Sequence, residues 1–569
     1  MVTTPITRSA EWRERREMRS PPPRLSRLSR LSRLSCLSRL SRLSRLSCLS
    51  RLSCLLIALL SCALLPTPAP PADLYLAPAD VLLYPGPPLY SGDVVTFDIT
   101  PHNADQLPLA DLGVRVSRLT SEGPEVIAEG PVGQPAFDHA PRARLTWAWD
   151  TTGLDGEQRL RVHLDPDDRI QEGDEDPANN VVTLTVSLRP AAARPALEAQ
   201  ATWVTTTTSC CVLHYLTGSP AARDLPALTA QAEQAAALVQ TRLHLTATRP
   251  ISLYLVSRVI GQGGYAAAAV TLSYLDRNYA GRDLRLLLPH EFTHMSDGPL
   301  ANGTPSFLRE GLAVWVAGGH FKPEPIPQRA AALRRLGDYV PLDQLMEDFY
   351  LHQHEAAYLE SAAFVAYLVE THGWDRFLAV YGGFGEAKSL DAVLQATLGA
   401  DLTAVEADFL RWLDAHPPTP AQERDVRDTI RLFDAVRRYQ QAYDPGAYFM
   451  SGWFPDPVEG ERRGIVADFL RRPTGAESIA LEVMLLAAQE GLAAGDLPTV
   501  ETHLEAVEAV LMDGRFTHPL AVRYLAVVEA SAAHGYEAQR VALDDGAAHV
   551  WATASDATLV ELQVGGLAQ

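Results

Sequence analysis

The stretch "LLPHEFTHMSDG", residues 287–298, places two histidines four positions apart, with a glutamate directly after the first. Residues four apart share one face of an α-helix, so the imidazoles of His290 and His294 can converge on one metal ion. Glu291 lies one step round the helix, too far aside to be a ligand but within reach of a water as general base. Pro289 is expected in the first helical turn, where its missing N–H is no loss. The stretch therefore predicts a helix that carries part of a zinc site.

A catalytic zinc site of this kind needs a third protein ligand and an open position for water. The chain has 16 histidines, so the motif can arise by chance and the third ligand decides the interpretation. The next segment, "TPSFLREGLAVWVAGG" (304–319), predicts a second helix with Thr304 as N-cap and Pro305 as its first residue. Glu310 lies among apolar residues of this helix, where an unpaired carboxylate is costly. Glu310 is the predicted third ligand, and a solvent-facing glutamate is the alternative.

The motif and the Glu-Gly-Leu-Ala helix together resemble the gluzincin metallopeptidases, in particular the bacterial peptidase MA-like domain. The resemblance spans roughly residues 200–416 and includes "AAYLESAAFVAYLVETHGWDRFLAVY" (356–381). It implies an α+β zincin fold and a Zn²⁺ ion held by His290, His294 and Glu310. It also implies that Glu291 is the general base and that the substrate is a peptide or protein.

The same resemblance places Tyr358 where gluzincin aminopeptidases have a tyrosine that stabilises the tetrahedral oxyanion. Tyr350, Tyr367 and His320 are alternatives for that role, and packing is the alternative for Tyr358 itself. The strand "AAVTLSYL" (268–275) would be the sheet edge that binds an extended peptide.

Two positions depart from the family pattern. Arg309 replaces a small polar residue before the ligand glutamate, and position 314, a second acid in some gluzincins, is valine. Groups around metal ligands orient and tune them, so these departures bear on the level of activity more than on metal binding.

The N-terminal segment predicts export. Residues 24–54 repeat Arg-Leu-Ser or Cys-Leu-Ser, and "LLIALLSCALL" (55–65) is an apolar run too short to span a bilayer. We expect a secreted or cell-surface protein, with plain secretion, an uncleaved anchor or a lipid at Cys62 as the alternatives. The formal charge is −20; the first 53 residues carry thirteen arginines and three glutamates, so the remainder carries −30. Such an acidic body excludes nucleic acid as an expected partner.

Residues 74–189 alternate polar and apolar side chains between turns, as in a β-sandwich. The stretches "SGDVVTFDITPHNAD" (91–105) and "VHLDPDDRIQEGDEDPANNVVTLTV" (162–186) resemble the bacterial cell-adhesion-related domain called CARDB. The resemblance implies an immunoglobulin-like module with a spacing or binding role. Its acidic turn is either a calcium site or a solvated turn; the residues concerned are Asp165, Asp167, Asp168, Glu172, Asp174 and Glu175.

The expected fold is thus multidomain: a sandwich, an α+β zincin domain, and a mainly helical region with a β-meander. The expected segments are a leader (1–73), the sandwich (74–189), a Pro/Ala linker (190–198), the zincin domain (199–416), a helical region (417–535) and the meander (536–569). Cys210 and Cys211 are expected as two separate small residues in a strand, with a vicinal disulfide as the alternative. The oligomeric state stays open.

The sequence is compatible with two functions. The first is an exported zinc metallopeptidase. The alternative is a cell-surface binding or scaffold protein with a structural or inactive metallopeptidase-like domain. An intact Glu291 favours the enzyme, because an inactive homologue does not need its general base.

Overall fold

An N-terminal β-sheet region, a mixed α/β region and a helical region with a small β-meander follow one another along the chain. The computed structural model describes residues 73–565 except 105–106, 108, 135–139, 171–173, 246–248, 282, 386–387, 449–451, 453–455, 545 and 555–557. The predicted leader with its Cys62, and Glu172 of the acidic turn, therefore lie outside the described residues. This order of regions confirms the general architecture expected from the sequence.

The strands of the β-sheet region form two sheets that enclose one apolar core. They are β1 (Val81–Tyr84), β2 (Leu89–Tyr90), β3 (Val94–Ile99), β4 (Gly113–Thr120), β5 (Gly123–Pro131), β6 (Ala143–Asp150), β7 (Gly156–Leu164) and β8 (Val181–Arg189). One sheet has the order β1-β3-β6 and the other β2-β8-β7-β4-β5. The two faces of a strand carry alternate side chains, and every second residue of β6 is buried in this core.

The mixed region is built on a sheet with the order β12-β13-β11-β10-β9. Its elements are α1 (Ala196–Gln200), β9 (Trp203–Thr207), β10 (Cys211–Leu216), α2 (Pro220–Arg223), α3 (Leu225–Leu243), β11 (Ile251–Val256), β12 (Gly264–Ala266) and β13 (Val270–Ser273). Strands β10, β11 and β13 are parallel, and α3 crosses between the first two, with Leu228, Ala232 and Val239 buried against the sheet.

The predicted edge strand is wrong. Residues 264–273 fold into a hairpin, so "AAVTLSYL" supplies β13, which is paired on both sides, and the edge belongs to β12. The turn falls at residues 267–269, where the amide of Ala267 donates to the carbonyl of Ala269. Four consecutive alanines gave no turn signal, and the sequence therefore read as one continuous strand.

Helices cover this sheet and continue to residue 414. They are α4 (Leu284–Ser296), α5 (Ser306–Ala317), α6 (Ile326–Leu336), α7 (Leu342–Asp348), α8 (His354–His372), α9 (Trp374–Tyr381), α10 (Leu390–Leu398) and α11 (Leu402–Asp414). Together with the sheet they enclose a single large apolar core. Helix α8 lies inside this core, with residues 354–368 buried on every side, including the charged side chains of Glu355 and Glu360.

Both helix starts predicted around the motif are wrong by a few residues. Helix α4 begins at Leu284, capped by the carboxylate of Asp283, so Pro289 lies inside the helix. Helix α5 begins at Ser306 with Pro305 as an N-cap that has no side-chain bond. The hydroxyl of Thr304 donates instead to the carbonyl of Tyr381, 2.6 Å away. At α4 a local cap, Asp283, starts the helix before Pro289, and at α5 the tertiary contact with Tyr381 takes Thr304 away from the N-cap.

The C-terminal region packs a second core. Its helices are α12 (Pro420–Tyr443), α13 (Pro457–Arg463), α14 (Ala467–Leu470), α15 (Ala476–Ala494), α16 (Leu497–Asp513) and α17 (Pro519–Ala533). Gly495 and Asp496 separate α15 from α16. The predicted meander is confirmed as antiparallel β14 (Glu537–Asp544), β15 (Ala547–Thr553) and β16 (Leu559–Gly565).

Cys210 and Cys211 are joined by a disulfide, contrary to the favoured expectation. Strand β10 begins only at Cys211, so the rule that neighbours on a strand face opposite sides does not apply to the pair.

The acidic turn makes protein contacts. Asp165 accepts from the amide of Ile170, Asp167 pairs with Arg115, and Asp174 accepts from Asn180. Within the described residues, the acidic turn does not form a metal-binding group. Among these same residues, no helix has both the length and the apolarity needed to cross a bilayer.

Candidate metal centre

Helices α4 and α5 carry the candidate ligands, and an ion pair next to the ligands joins the two helices. Asp297, at the end of α4, is fully buried and accepts two hydrogen bonds from the guanidinium of Arg309, at 2.7 and 2.8 Å. The phenol of Tyr381 donates to the same carboxylate at 2.6 Å. Arg309 therefore fixes the loop that connects the two helices and returns the chain to the candidate ligands. This contact fixes Glu310, the next residue, relative to α4.

The structure brings His290, His294 and Glu310 together through single atoms. The Nε2 atoms of the two histidines lie 3.2 Å apart, and Oε2 of Glu310 lies 3.2 Å from each. Tetrahedral zinc with bonds of about 2.0–2.1 Å places neighbouring ligand atoms about 3.3 Å apart. The three atoms thus form one face of a tetrahedron of the size that zinc requires.

Glu291 is also near this centre. His290, Glu291 and His294 each offer an atom within 4.8 Å of the others, a looser grouping that could also hold a metal. The equal 3.2 Å spacings favour Glu310 over Glu291 as the third ligand. The buried Glu291 carboxylate then lies beside the centre.

The electrostatics of the three groups agree with their geometry. Burial opposes the charge on Glu310, but His294 and the hydrogen bonds from both imidazoles hold the pKa of this carboxyl well below its usual range. Burial likewise opposes the charge on His294, yet the Glu310 carboxylate raises the pKa of this imidazole to about 9. Three buried atoms therefore converge on a point where positive charge is stabilised.

The candidate tyrosines occupy three different places. The phenol of Tyr350 donates to Oε1 of Glu310 at 2.9 Å, on the carboxylate oxygen that faces away from the imidazoles. Tyr358 lines the cleft above the centre, its ring 6.1 Å from that of His290. Tyr367 packs in the core against Phe409 and does not line the cleft.

His320, the fourth alternative, lies behind Tyr358. Its ring stacks on that of Tyr358 at 4.7 Å, and its Nδ1 contacts the carboxylate of Glu355. His320 is buried and does not line the cleft. It therefore supports Tyr358 from the rear and is separated from the candidate ligands.

The centre opens into a cleft of about 510 Å³. Edge strand β12 and the turn after it form one side, including Gly264, where an added Cβ would lie 2.4 Å from Leu272 and 3.6 Å from Glu291. The contact that requires glycine here is the one with Leu272, and the same stretch of backbone lies in van der Waals range of the Glu291 carboxylate.

The cleft also draws on residues that the sequence did not single out. His354 lines it from α8, and Asp456 and Val458 line it from α13, far beyond the segment expected to hold the site. No motif or spacing marks these three residues. Tyr350 was named only as an alternative for Tyr358, and its role beside Glu310 had no signal in the sequence.

The arrangement can hold a divalent metal, place a carboxylate beside it, and admit an extended chain along a free strand edge. Comparison with protein-family models and with curated proteins finds no match for this chain. The chemical properties of the site therefore rest on these residues and their geometry.

Proposed function

We propose that this protein is an exported zinc-dependent metallopeptidase. The observation that carries the proposal is the triangle of ligand atoms from His290, His294 and Glu310, with edges of 3.2 Å. A buried glutamate beside this triangle and a cleft with a free strand edge supply the other parts that peptide hydrolysis needs.

The donor set fits zinc in number and type. Two imidazoles and one carboxylate are ligands that zinc accepts in catalytic sites, and three protein ligands leave one position open. When bound, zinc supplies Lewis acidity that makes water nucleophilic at neutral pH and polarises a carbonyl.

The remaining steps belong to the side chains. Glu291 accepts a proton from the attacking water and later delivers it to the leaving amine. Tyr358, above His290, donates a hydrogen bond to the oxyanion that develops on the substrate carbonyl. Tyr350 keeps Glu310 oriented by its hydrogen bond to Oε1. An extended substrate adds to β12 through main-chain hydrogen bonds.

The finer architecture is part of the same proposal. The two-sheet region is interpreted as an immunoglobulin-like, CARDB-type module, and the α/β region with α4–α11 as a gluzincin domain. The parallel sheet with an antiparallel edge beside the motif helix supports the second interpretation. The basic and apolar leader supports an extracytoplasmic location.

Mass spectrometry of a peptide library tests the function. The full chain is stripped with a chelator and one half is reconstituted with one equivalent of zinc. New peptide termini should form only with the reconstituted protein. Absence of cleavage in both samples would favour the scaffold alternative, and equal cleavage in both would remove zinc from the mechanism.

A further inference from the structure

The far wall of the cleft carries a charge that the proposed reaction does not use. Asp456 is exposed at the start of α13 and lines the same cleft as the candidate metal ligands. Its Oδ1 accepts from the amide of Val458 at 2.9 Å, which leaves its other oxygen for a ligand. No ion pair in the described part of the chain includes Asp456.

The other charges of the cleft are already matched. Arg309 is held by two hydrogen bonds to the buried Asp297, and Glu310 faces both imidazoles. Glu291 is the proposed base. Asp456 is therefore the negative charge among the described cleft residues that neither the reaction nor another side chain uses.

An apolar surface lies directly beside this charge. Val458 is one of the few exposed large apolar side chains of the described residues, with 41% of its surface accessible, and it lines the same wall. A carboxylate next to an exposed valine matches a lysine or arginine side chain, whose methylene stem covers apolar surface while its cation stays at the polar end.

The edge strand determines which substrate residues reach this wall. Ala266 packs with the core beneath α4, whereas Tyr265 faces the opposite side and packs with Phe469 and its neighbours. Burial raises the pKa of Tyr265 to about 12, and the nearby Asp456 carboxylate adds to this rise. Tyr254 shares this face of the sheet, since both tyrosines pair with Thr271, and it donates to Glu461 of α13 at 2.6 Å. Helix α13, with Asp456 at its start, therefore lies on the Tyr265 side of β12. Alternate residues of a peptide paired with β12 would face this side.

We propose that Asp456 and Val458 form a subsite for a lysine or arginine side chain of the substrate. The inference rests on the proposed peptidase function and deepens it by naming the substrate class. The acidic body of the chain agrees with it, because a net charge of −30 outside the first 53 residues attracts cationic peptides.

A set of N-acetylated, internally quenched peptides tests the subsite. The peptides carry lysine, norleucine or glutamate at one position at a time, and acetylation removes the α-amine as a source of positive charge. The ratio of kcat/KM for the lysine and norleucine peptides is measured for the full wild-type chain and for Asp456→Asn. Asparagine caps a helix as well as aspartate, so this variant keeps the start of α13 intact.

We expect wild type to prefer lysine at one position near the cleaved bond, and Asp456→Asn to lower the ratio by about fivefold, as for a partly exposed ion pair. Asp401→Asn is the matched control, because Asp401 caps α11 in the same way and is not among the residues that line the cleft. An unchanged ratio in Asp456→Asn, or an equal fall in Asp401→Asn, overturns the inference. The absence of any lysine preference in these acetylated peptides also overturns it.

Binding separates this inference from the proposed function. In a Glu291→Gln background, anisotropy of labelled peptides measures affinity without cleavage. A loss of lysine preference on adding Asp456→Asn supports the subsite even if no peptide is hydrolysed. Equal affinities for lysine and norleucine peptides refute the subsite and leave the hydrolase proposal standing.

Discussion

Glu310 makes the difference between a helix with two histidines and a three-ligand site. The two oxygens of its carboxylate have different partners: Oε2 faces both imidazoles, and Oε1 accepts a hydrogen bond from Tyr350. A buried carboxylate with both oxygens engaged holds one orientation, which a metal site needs for defined geometry.

Replacing Glu310 tests the ligand assignment. Glu310→Ala should reduce zinc affinity by more than roughly 100-fold, because losing a ligand costs more than losing an outer partner. Metal content after dialysis against a weak competing chelator measures this loss. Glu291→Gln is the control and should retain one zinc per chain. Undiminished zinc in Glu310→Ala would remove Glu310 as a ligand.

Replacing Tyr350 and replacing Tyr358 should have different effects. Tyr350→Phe loses the hydrogen bond to Glu310 and should lower zinc affinity by about tenfold. Tyr358→Phe should keep zinc and lower kcat by about 100-fold, as expected for loss of an oxyanion donor. Zinc competition measures the zinc affinity of both variants, and peptide kinetics measures their kcat. The opposite pattern would exchange the roles of the two tyrosines.

At the scale of elements, the segment α13–α14 links the cleft to the β-sheet region. It supplies Asp456 and Val458 to the cleft wall, and its far end contacts β6. A register shift in the β3–β6 pairing and a positive φ at Trp147 turn this indole away from the sandwich core. The indole donates to the buried carboxylate of Asp468 at 2.6 Å.

Asp468 gives this contact a pH dependence. Burial raises the pKa of Asp468 from 3.8 to about 6, against the opposing hydrogen bond from Trp147. The folded chain thus holds the proton more tightly, so this carboxyl stabilises the fold fully below pH 3.8 and loses that contribution as the pH rises through about 6. Asparagine keeps an acceptor for the indole and does not ionise.

Asp468→Asn should therefore gain stability relative to wild type as the pH rises from 4 to 8, by up to about 3 kcal/mol. Urea unfolding of both proteins at several pH values measures the difference in the free energy of unfolding. A difference that stays constant with pH would contradict the assigned ionisation of Asp468.

The sequence could predict the elements whose signals are local. The i, i+4 histidines and a lone carboxylate in an apolar helix pointed to His290, His294 and Glu310, and the sequence pattern located the helical region and the meander after it. The hairpin turn at 267–269 lacks turn residues, and Pro289 lies inside α4 because Asp283 caps it earlier. Asp456 reaches the cleft only through tertiary packing, so spacing carried no sign of it.

At the scale of the whole molecule, Arg471 joins the three regions. Its guanidinium binds Asp93 of the β-sheet region and Glu198 of α1, and all three side chains are buried. The predicted linker is held at the same place, because Arg194 also pairs with Asp93. The β-sheet region is thus fastened to the segment that forms one wall of the cleft.

Arg471→Gln should destabilise the fold by up to about 3–5 kcal/mol, because two buried carboxylates then share Arg194 as their remaining cation. Arg462→Gln is the control, since Arg462 pairs with Glu459 on an exposed surface and its loss should leave stability essentially unchanged. Urea unfolding of both variants checks the contrast. Equal losses would show that Arg471 does not fasten the regions together.

The most direct test of Glu291 as the general base of a zinc peptidase is a comparison of two rates. The rate of peptide hydrolysis per bound zinc is measured for the wild-type full chain and for Glu291→Gln. Both proteins should bind one zinc, because Glu291 is not a ligand. We expect Glu291→Gln to be slower by about 10²–10⁴-fold, the usual contribution of a general base. An equal rate per zinc in the two proteins would contradict this role of Glu291.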